Sequence, residues 1–124
     1  MPILSVDLVL RPGEVIPASA ARDLADVAGE MYGSEPGDTW VTIRELPADQ
    51  YAENNSPGGV YFPAFIHVLR MRLPDKLVLA AEAARLAELA GLALGRQTEN
   101  VHIIFEPAGG GRVAFGGRLT APLG

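Results

Sequence analysis

The hexapeptide LADVAG at residues 24–29 returns 62 positions later as LAELAG at residues 86–91. The correspondence continues on both sides with offsets of 60 to 62, in the pairs Gly33 and Gly95, Pro2 and Pro63, Arg11 and Arg72, and Pro47 and Pro107. An ordered series of matches at a nearly constant offset is the mark of an internal repeat. The sequence therefore predicts two repeats, residues 2–55 and 63–119, within a single domain of 124 residues.

Each repeat has the pattern of a strand, a helix and a second strand. Strands are expected where Val, Leu and Ile are dense, and helices where apolar side chains recur every three or four residues. The first repeat gives residues 2–10, 18–32 and 40–46, and the second gives 64–72, 75–94 and 100–106. Gly33 is expected to end the first helix and Asp75 to cap the second.

These two units predict an α/β (α+β) fold. Two strands joined through a helix normally run parallel with a right-handed crossover, so two such units give a four-stranded mixed sheet with both helices on one face. We expect the strand residues Ile66, Val68, Ile103 and Phe105 to point to both faces of the sheet. A second apolar face needs a cover, and self-association supplies one. Residues 50–62 are expected to be a linking loop, and residues 113–119 a final strand or hairpin.

Composition and charge exclude several classes of function. Hydrophobic residues make up 48% of the chain, and the net charge is −5. An acidic protein is a poor partner for nucleic acid, because binding phosphates requires a basic surface. The chain has no cysteine, which excludes disulfides, thiolate zinc sites and cysteine nucleophiles. No apolar run approaches the roughly 20 residues that span a bilayer, so we expect a soluble, cytoplasmic protein without a membrane partner.

Pro2 is the residue best suited to carry chemistry. Removal of Met1 leaves proline with a free secondary amine, and an N-terminal amine titrates close to neutral pH. Apolar neighbours such as Ile3, Phe65 or Phe115 disfavour its charged form, so it can act as a general base. The alternative is a proline that only opens a strand.

The ordered set of these features resembles the tautomerase superfamily. The features are Met-Pro-Ile at residues 1–3, the two repeated units, the segments 40–43 and 51–54, and Val-Ala-Phe-Gly-Gly at residues 113–117. The superfamily includes 4-oxalocrotonate tautomerase, macrophage migration inhibitory factor and malonate semialdehyde decarboxylase. The resemblance implies a homotrimer whose sheets form a central barrel, cofactor-independent chemistry on small carboxylic acids, and an N-terminal proline as catalytic base or acid.

Three arginines are candidate ligands for a substrate carboxylate, since a guanidinium offers paired donors to such a group. Arg70 and Arg72 lie two residues apart at the end of a predicted strand, so both can point to one face. The pair resembles the carboxylate-binding arginines of the decarboxylase group. Arg11 resembles the arginine after the first strand of 4-oxalocrotonate tautomerase. Solvated surface residues are the alternative for all three.

Asp38, Tyr51 and Asn54 are further candidates for substrate binding. Asp38 resembles the acidic residue that assists in the decarboxylase group, and its alternative role is a turn aspartate after Pro36 and Gly37. Tyr51 and Asn54 match a Tyr-Ala-Glu-Asn stretch found in many members, and both serve equally well as loop residues. No metal site is expected, because His67 and His102 lie in apolar strands and favour core positions.

The sequence thus predicts a cofactor-independent tautomerase or isomerase of a small 2-oxo or enol acid, with Pro2 as general base. Two alternatives stay open. One is a decarboxylase, or a hydratase of the dehalogenase type, in which protonated Pro2 acts as an acid. The other is a non-catalytic trimeric interaction protein.

Overall fold

The computed structural model of the chain describes residues 1–55 and 61–123. In that part the helices are α1 (Ala20–Tyr32) and α2 (Lys76–Leu94), and the strands are β1 (Ile3–Val9), β2 (Trp40–Leu46), β3 (Ala64–Leu69), β4 (Val101–Phe105), β5 (Ala114–Phe115) and β6 (Arg118–Leu119). Short 3₁₀ turns occupy Ala48–Gln50 and Thr98–Asn100. Part of the predicted linking loop, residues 56–60, lies outside the described residues.

Strands β1 to β4 form a mixed sheet in the order β2-β1-β3-β4. β1 pairs with β2 in parallel and β3 pairs with β4 in parallel, while the central pair of β1 and β3 is antiparallel. Each parallel pair is joined through one helix, as the predicted crossover units require. The predicted four-stranded mixed sheet with two helices is therefore confirmed.

The core lies between the sheet and the two helices. Leu4, Val6 and Leu8 alternate along β1 and are buried, and they pack with Leu24 of α1 and Leu86 of α2. Alternation is the expected pattern for a sheet covered on one face only, because successive side chains point to opposite faces. The hydrophobic interior of a single chain therefore depends on one face of the sheet.

The strand residues expected to point to both faces all point to the helices, so that prediction is wrong. Ile66 pairs with Ile103 and Val68 with Phe105, and members of each strand are two residues apart, which places all four on one face. The face without helices is mixed in character. Apolar Trp40, Phe65 and Ile104 lie there beside polar side chains that include Ser5, Asp7, Thr42, Arg44 and His67.

The ends of the elements follow local sequence signals. Gly33 follows α1 in the left-handed conformation, with φ of 63°, which a glycine adopts without steric cost. The Asp75 side chain accepts a hydrogen bond from the backbone N–H of Val78 at 3.0 Å and caps α2. The C-terminal hairpin of β5 and β6 is also as predicted, and it places Phe115 edge-on against Trp40, with ring centroids 5.4 Å apart.

No helix within residues 1–55 and 61–123 has the length and apolar character needed to cross a membrane.

Candidate active site

The topology brings the ends of three strands to one edge of the sheet. Parallel β1 and β2 begin at this edge, and β3, which is antiparallel to β1, ends there. Pro2 and Arg70 each lie one position beyond the paired residues Ile3 and Leu69. The carbonyl oxygen of Pro2 accepts a hydrogen bond from the backbone N–H of Trp40 at 3.1 Å, which holds the start of β1 against β2. Residues distant in sequence therefore meet at this edge.

A cavity of about 270 Å³ opens at this edge. It is lined by the start of β1, the end of α1, the loop before β2 and the end of β3, through Met1, Pro2, Tyr32, Gly33, Ser34, Glu35, Asp38 and Arg70. Three of the predicted site residues, Pro2, Asp38 and Arg70, are therefore brought together. Pro2 is buried.

The cavity beside Pro2 is not lined by the apolar neighbours expected from sequence. Ile3, Phe65 and Phe115 are not among the described residues that line it, whereas Glu35 and Asp38 are. Side chains of β1 alternate, so Ile3 turns away from the position of Pro2. The cavity is consequently polar and contains charges of both signs.

Arg70 is held by two side chains from the helices. Its guanidinium donates a hydrogen bond to the carboxylate of Glu82, and the side chains of Arg70 and Glu82 are only 24% and 10% exposed. Its Cζ atom also lies 5.1 Å from the centroid of the Tyr32 ring, a distance at which a cation is attracted to an aromatic face. The guanidinium therefore has a fixed position at the cavity.

Tyr32 shares the same carboxylate. Its hydroxyl donates to Glu82 Oε2 at 3.0 Å. Burial raises the pKa of the Tyr32 phenol well above its ordinary value, and the negative charge of Glu82 raises it further. Tyr32 is therefore a neutral hydrogen-bond donor across the physiological pH range.

Arg72 and Arg11 are not at this cavity. The predicted third strand extends to residue 72, but β3 ends at Leu69, and Met71 and Arg72 lie in a bend. The two-residue alternation that would align Arg72 with Arg70 does not continue there, and Arg72 is exposed. Arg11 follows the opposite end of β1, where it pairs with Glu14 at 3.1 Å.

Tyr51 and Asn54 are also placed away from the cavity. The Tyr51 ring lies 5.8 Å from that of Phe65 on the sheet face without helices, and its hydroxyl donates to Glu53 at 2.6 Å. Partial burial and this bond raise the pKa of Tyr51 to about 12. Asn54 is an exposed loop residue.

The two histidines are not in the core, contrary to expectation. His67 is 37% exposed on the face without helices, and its Nδ1 atom lies 2.8 Å from Glu106 Oε1. His102 is exposed on the same face, with its ring 5.3 Å from Phe65. Across the described part of the chain, no three His, Cys, Asp or Glu side chains are grouped closely enough to hold a metal ion.

Glu82 and Tyr32 are site residues that the sequence reasoning missed. Glu82 is an acidic residue within a helix that is otherwise rich in leucine and alanine. Its spacing carries the missing signal, because Leu79, Leu86 and Ala90 lie three before, four after and eight after it, on the face that packs inward. A carboxylate on the inward face of a helix requires a partner, since burying an unpaired charge is costly.

Comparison with solved structures shows the same fold in proteins of low sequence identity. A fused 4-OT that forms a symmetric trimer matches with a TM-score of 0.75 and 16% identity, over 96% of this chain and 95% of that chain. The macrophage migration inhibitory factor of Trichinella spiralis matches with a TM-score of 0.71 and 16% identity, over 93% and 96% of the two chains. FG41 malonate semialdehyde decarboxylase inhibited by 3-bromopropiolate matches with a TM-score of 0.66 and 16% identity, over 91% and 88%.

At these identities the match shows the fold alone, and that fold is the one predicted from the resemblance to the tautomerase superfamily, to which all three proteins belong. No protein-family model and no curated protein matches the sequence.

Proposed function

We propose that this chain is a cofactor-independent tautomerase or isomerase of a small 2-oxo or enol carboxylic acid, with Pro2 as its general base. The observation that carries the proposal is the shared cavity of Pro2, Asp38 and Arg70. Once Met1 is removed, these residues offer an amine, a carboxylate and a guanidinium within one small space. The likeness in fold to tautomerase structures supports the same conclusion.

The proposal requires that Met1 is the first residue and that it is removed. In the chain that includes Met1, the nitrogen of Pro2 belongs to a peptide bond and has no basic lone pair. Met1 itself lines the cavity and is 40% exposed. Its removal would both free the secondary amine and enlarge the space in front of it.

The reaction would be a transfer of one proton between two positions of the substrate. The neutral amine of Pro2 takes the proton from an enol hydroxyl or from a carbon next to a carbonyl group, and the protonated amine returns it at another carbon. Arg70 binds the carboxylate and stabilises the negative charge of the enolate intermediate. No atom is lost or gained overall.

We also propose that the working form is a homotrimer. Trp40, Phe65 and Ile104 lie on the sheet face without helices, and two of them, Trp40 and Ile104, are 43% and 41% exposed. Apolar side chains on an open sheet face favour contact with further copies. A symmetric trimer is the assembly named for the fused 4-OT of the same fold.

A decarboxylase or hydratase is the second candidate, and the two carboxylates in the cavity favour it. Glu35 and Asp38 line the same space as Pro2. A negative charge nearby stabilises the protonated amine, and a protonated Pro2 acts as an acid and not as a base. In this alternative, Arg70 would polarise the substrate, and protonated Pro2 would donate its proton to a carbon of the substrate.

Intact-mass measurement is the first experiment, because a retained Met1 excludes both enzymatic proposals and leaves the non-catalytic trimer.

The second experiment follows two reactions. One is deuterium exchange at C3 of 2-oxobutyrate, measured by NMR, and the other is release of carbon dioxide from a 3-oxo acid. Exchange that increases with pH, and that falls at least about 100-fold in Pro2→Ala, supports the base. Release of carbon dioxide that decreases with pH supports the acid. A Pro2→Ala variant with full activity would overturn both.

A further inference from the structure

We propose that Glu82 is the positioning residue that holds Arg70 at the cavity, and that Tyr32 is its second support. The inference rests on the proposed function, in which Arg70 binds the substrate carboxylate. Glu82 is not among the described residues that line the cavity, so it acts through the guanidinium and without touching substrate.

Both carboxylate oxygens of Glu82 accept hydrogen bonds. Oε1 accepts from Nη1 of Arg70, and Oε2 accepts from the Tyr32 hydroxyl at 3.0 Å. The Tyr32 ring contacts the guanidinium as well, with 5.1 Å between Cζ and the ring centroid. Arg70 is thus fixed by a carboxylate and by an aromatic face, which together define both the position and the plane of the guanidinium.

These contacts hold the Arg70 guanidinium in place before substrate binds. A free arginine side chain loses rotamer entropy when it is immobilised. This entropy is lost on folding and not on substrate binding, because Glu82 and Tyr32 already hold the guanidinium. Only Nη1 is used by Glu82, and the planar group has further N–H donors to offer a carboxylate. Loss of Glu82 therefore weakens substrate binding more than it changes the proton transfer at Pro2.

The three residues also join three elements of the fold. Tyr32 is the last residue of α1, Glu82 lies in α2, and Arg70 directly follows β3. The position of the guanidinium consequently depends on the packing of both helices and not on the loop that follows α1.

The kinetic test compares Glu82→Gln and Glu82→Ala with Glu88→Gln, measured as deuterium exchange at C3 of 2-oxobutyrate. Glu88 is a matched control, since it is a glutamate of the same helix with 59% of its side chain exposed. We expect the KM to rise about tenfold in Glu82→Ala and less in Glu82→Gln, with kcat and its pH profile nearly unchanged, because one charge-assisted hydrogen bond to Arg70 is lost. Unchanged KM values in both Glu82 variants would overturn the proposal.

A second measurement is independent of turnover and so separates this proposal from the failure of the Pro2 chemistry. The N–H signals of Arg70 in an NMR spectrum are expected to be sharp in the parent protein and in Glu88→Gln, and broadened or lost in Glu82→Gln. Glu82→Gln keeps the side-chain volume, so it decides the matter if Glu82→Ala does not fold. Arg70 signals that are equally mobile in the parent and in Glu82→Gln would exclude a positioning role.

Discussion

Arg96 follows the end of α2 in the same way that Ser34 follows the end of α1. The backbone N–H of Arg96 donates to the carbonyl of Gly91, and that of Ser34 donates to the carbonyl of Gly29, both at 2.9 Å. The two β-α-β units therefore have the same backbone at this point but very different side chains. The two edges of the sheet therefore carry different chemical groups at equivalent positions.

At the edge near Pro63 the Arg96 side chain is almost completely buried. It donates to the carbonyls of Val9 at 2.8 Å and Phe62 at 2.6 Å, and it pairs with Glu14 at 2.7 Å. At the edge near Pro2 the shorter Ser34 bonds across its own loop, with its hydroxyl 2.6 Å from that of Thr39. The Arg96 side chain fills the space at the edge near Pro63. At the edge near Pro2 the short Ser34 side chain leaves that space open, and it lines the cavity there.

Replacing Arg96 by alanine is expected to destabilise the fold by about 3–5 kcal/mol, because it leaves the Glu14 carboxylate and several carbonyl groups without their partner. Urea unfolding measures this change. Arg85→Ala is the control, since Arg85 forms an exposed pair with Glu88 at 3.5 Å and such pairs contribute at most about 1 kcal/mol. A loss for Arg96→Ala as small as that of the control would contradict the structural role.

The same ion pair predicts a pH dependence of stability. Hydrogen bonding from Arg96 lowers the pKa of Glu14 from 4.5 to about 2. A carboxyl group with a lowered pKa in the folded state stabilises it fully above the unfolded pKa and loses that contribution as the pH falls through the folded pKa. We therefore expect the stability advantage over Glu14→Gln to decline between about pH 4.5 and pH 2. If the free energy of unfolding depends on pH in the same way in both proteins across this range, Glu14 does not carry the effect.

The two equivalent glycines inside the helices are predicted to respond in opposite directions to alanine. A Cβ atom at Gly91 would lie 2.6 Å from the carbonyl oxygen of Arg96, whereas one at Gly29 would lie 3.7 Å from the Thr39 side chain. We expect Gly91→Ala to lose about 1–3 kcal/mol through overpacking, and Gly29→Ala to gain up to about 1 kcal/mol from helix propensity. Thermal unfolding of both variants tests this, and equal stability changes would contradict it.

Much of the fold is predictable from sequence, because the apolar periodicity and the helix signals at Gly33 and Asp75 act locally. The site is less predictable, since it depends on where strands end. The run of apolar residues before Arg70 gives no sign that β3 stops at Leu69, and that stop decides the positions of Arg70 and Arg72. The contact of Arg70 with Glu82 spans 12 residues and arises only from the packing of α2 against the sheet edge.

Arg70 and Arg72 lie two residues apart, and the sequence alone does not distinguish them as substrate ligands. Arg70→Lys keeps a positive charge for Glu82 but removes the planar pair of donors, so we expect the KM for 2-oxobutyrate exchange to rise about tenfold. Arg72→Lys is the matched control, because Arg72 is exposed beyond the end of β3 in the single chain. Its KM is expected to stay within about twofold of the parent value, given that surface charges contribute little. An equal rise in both variants would contradict a cavity formed by one chain, and would require Arg72 to reach the cavity of a neighbouring copy.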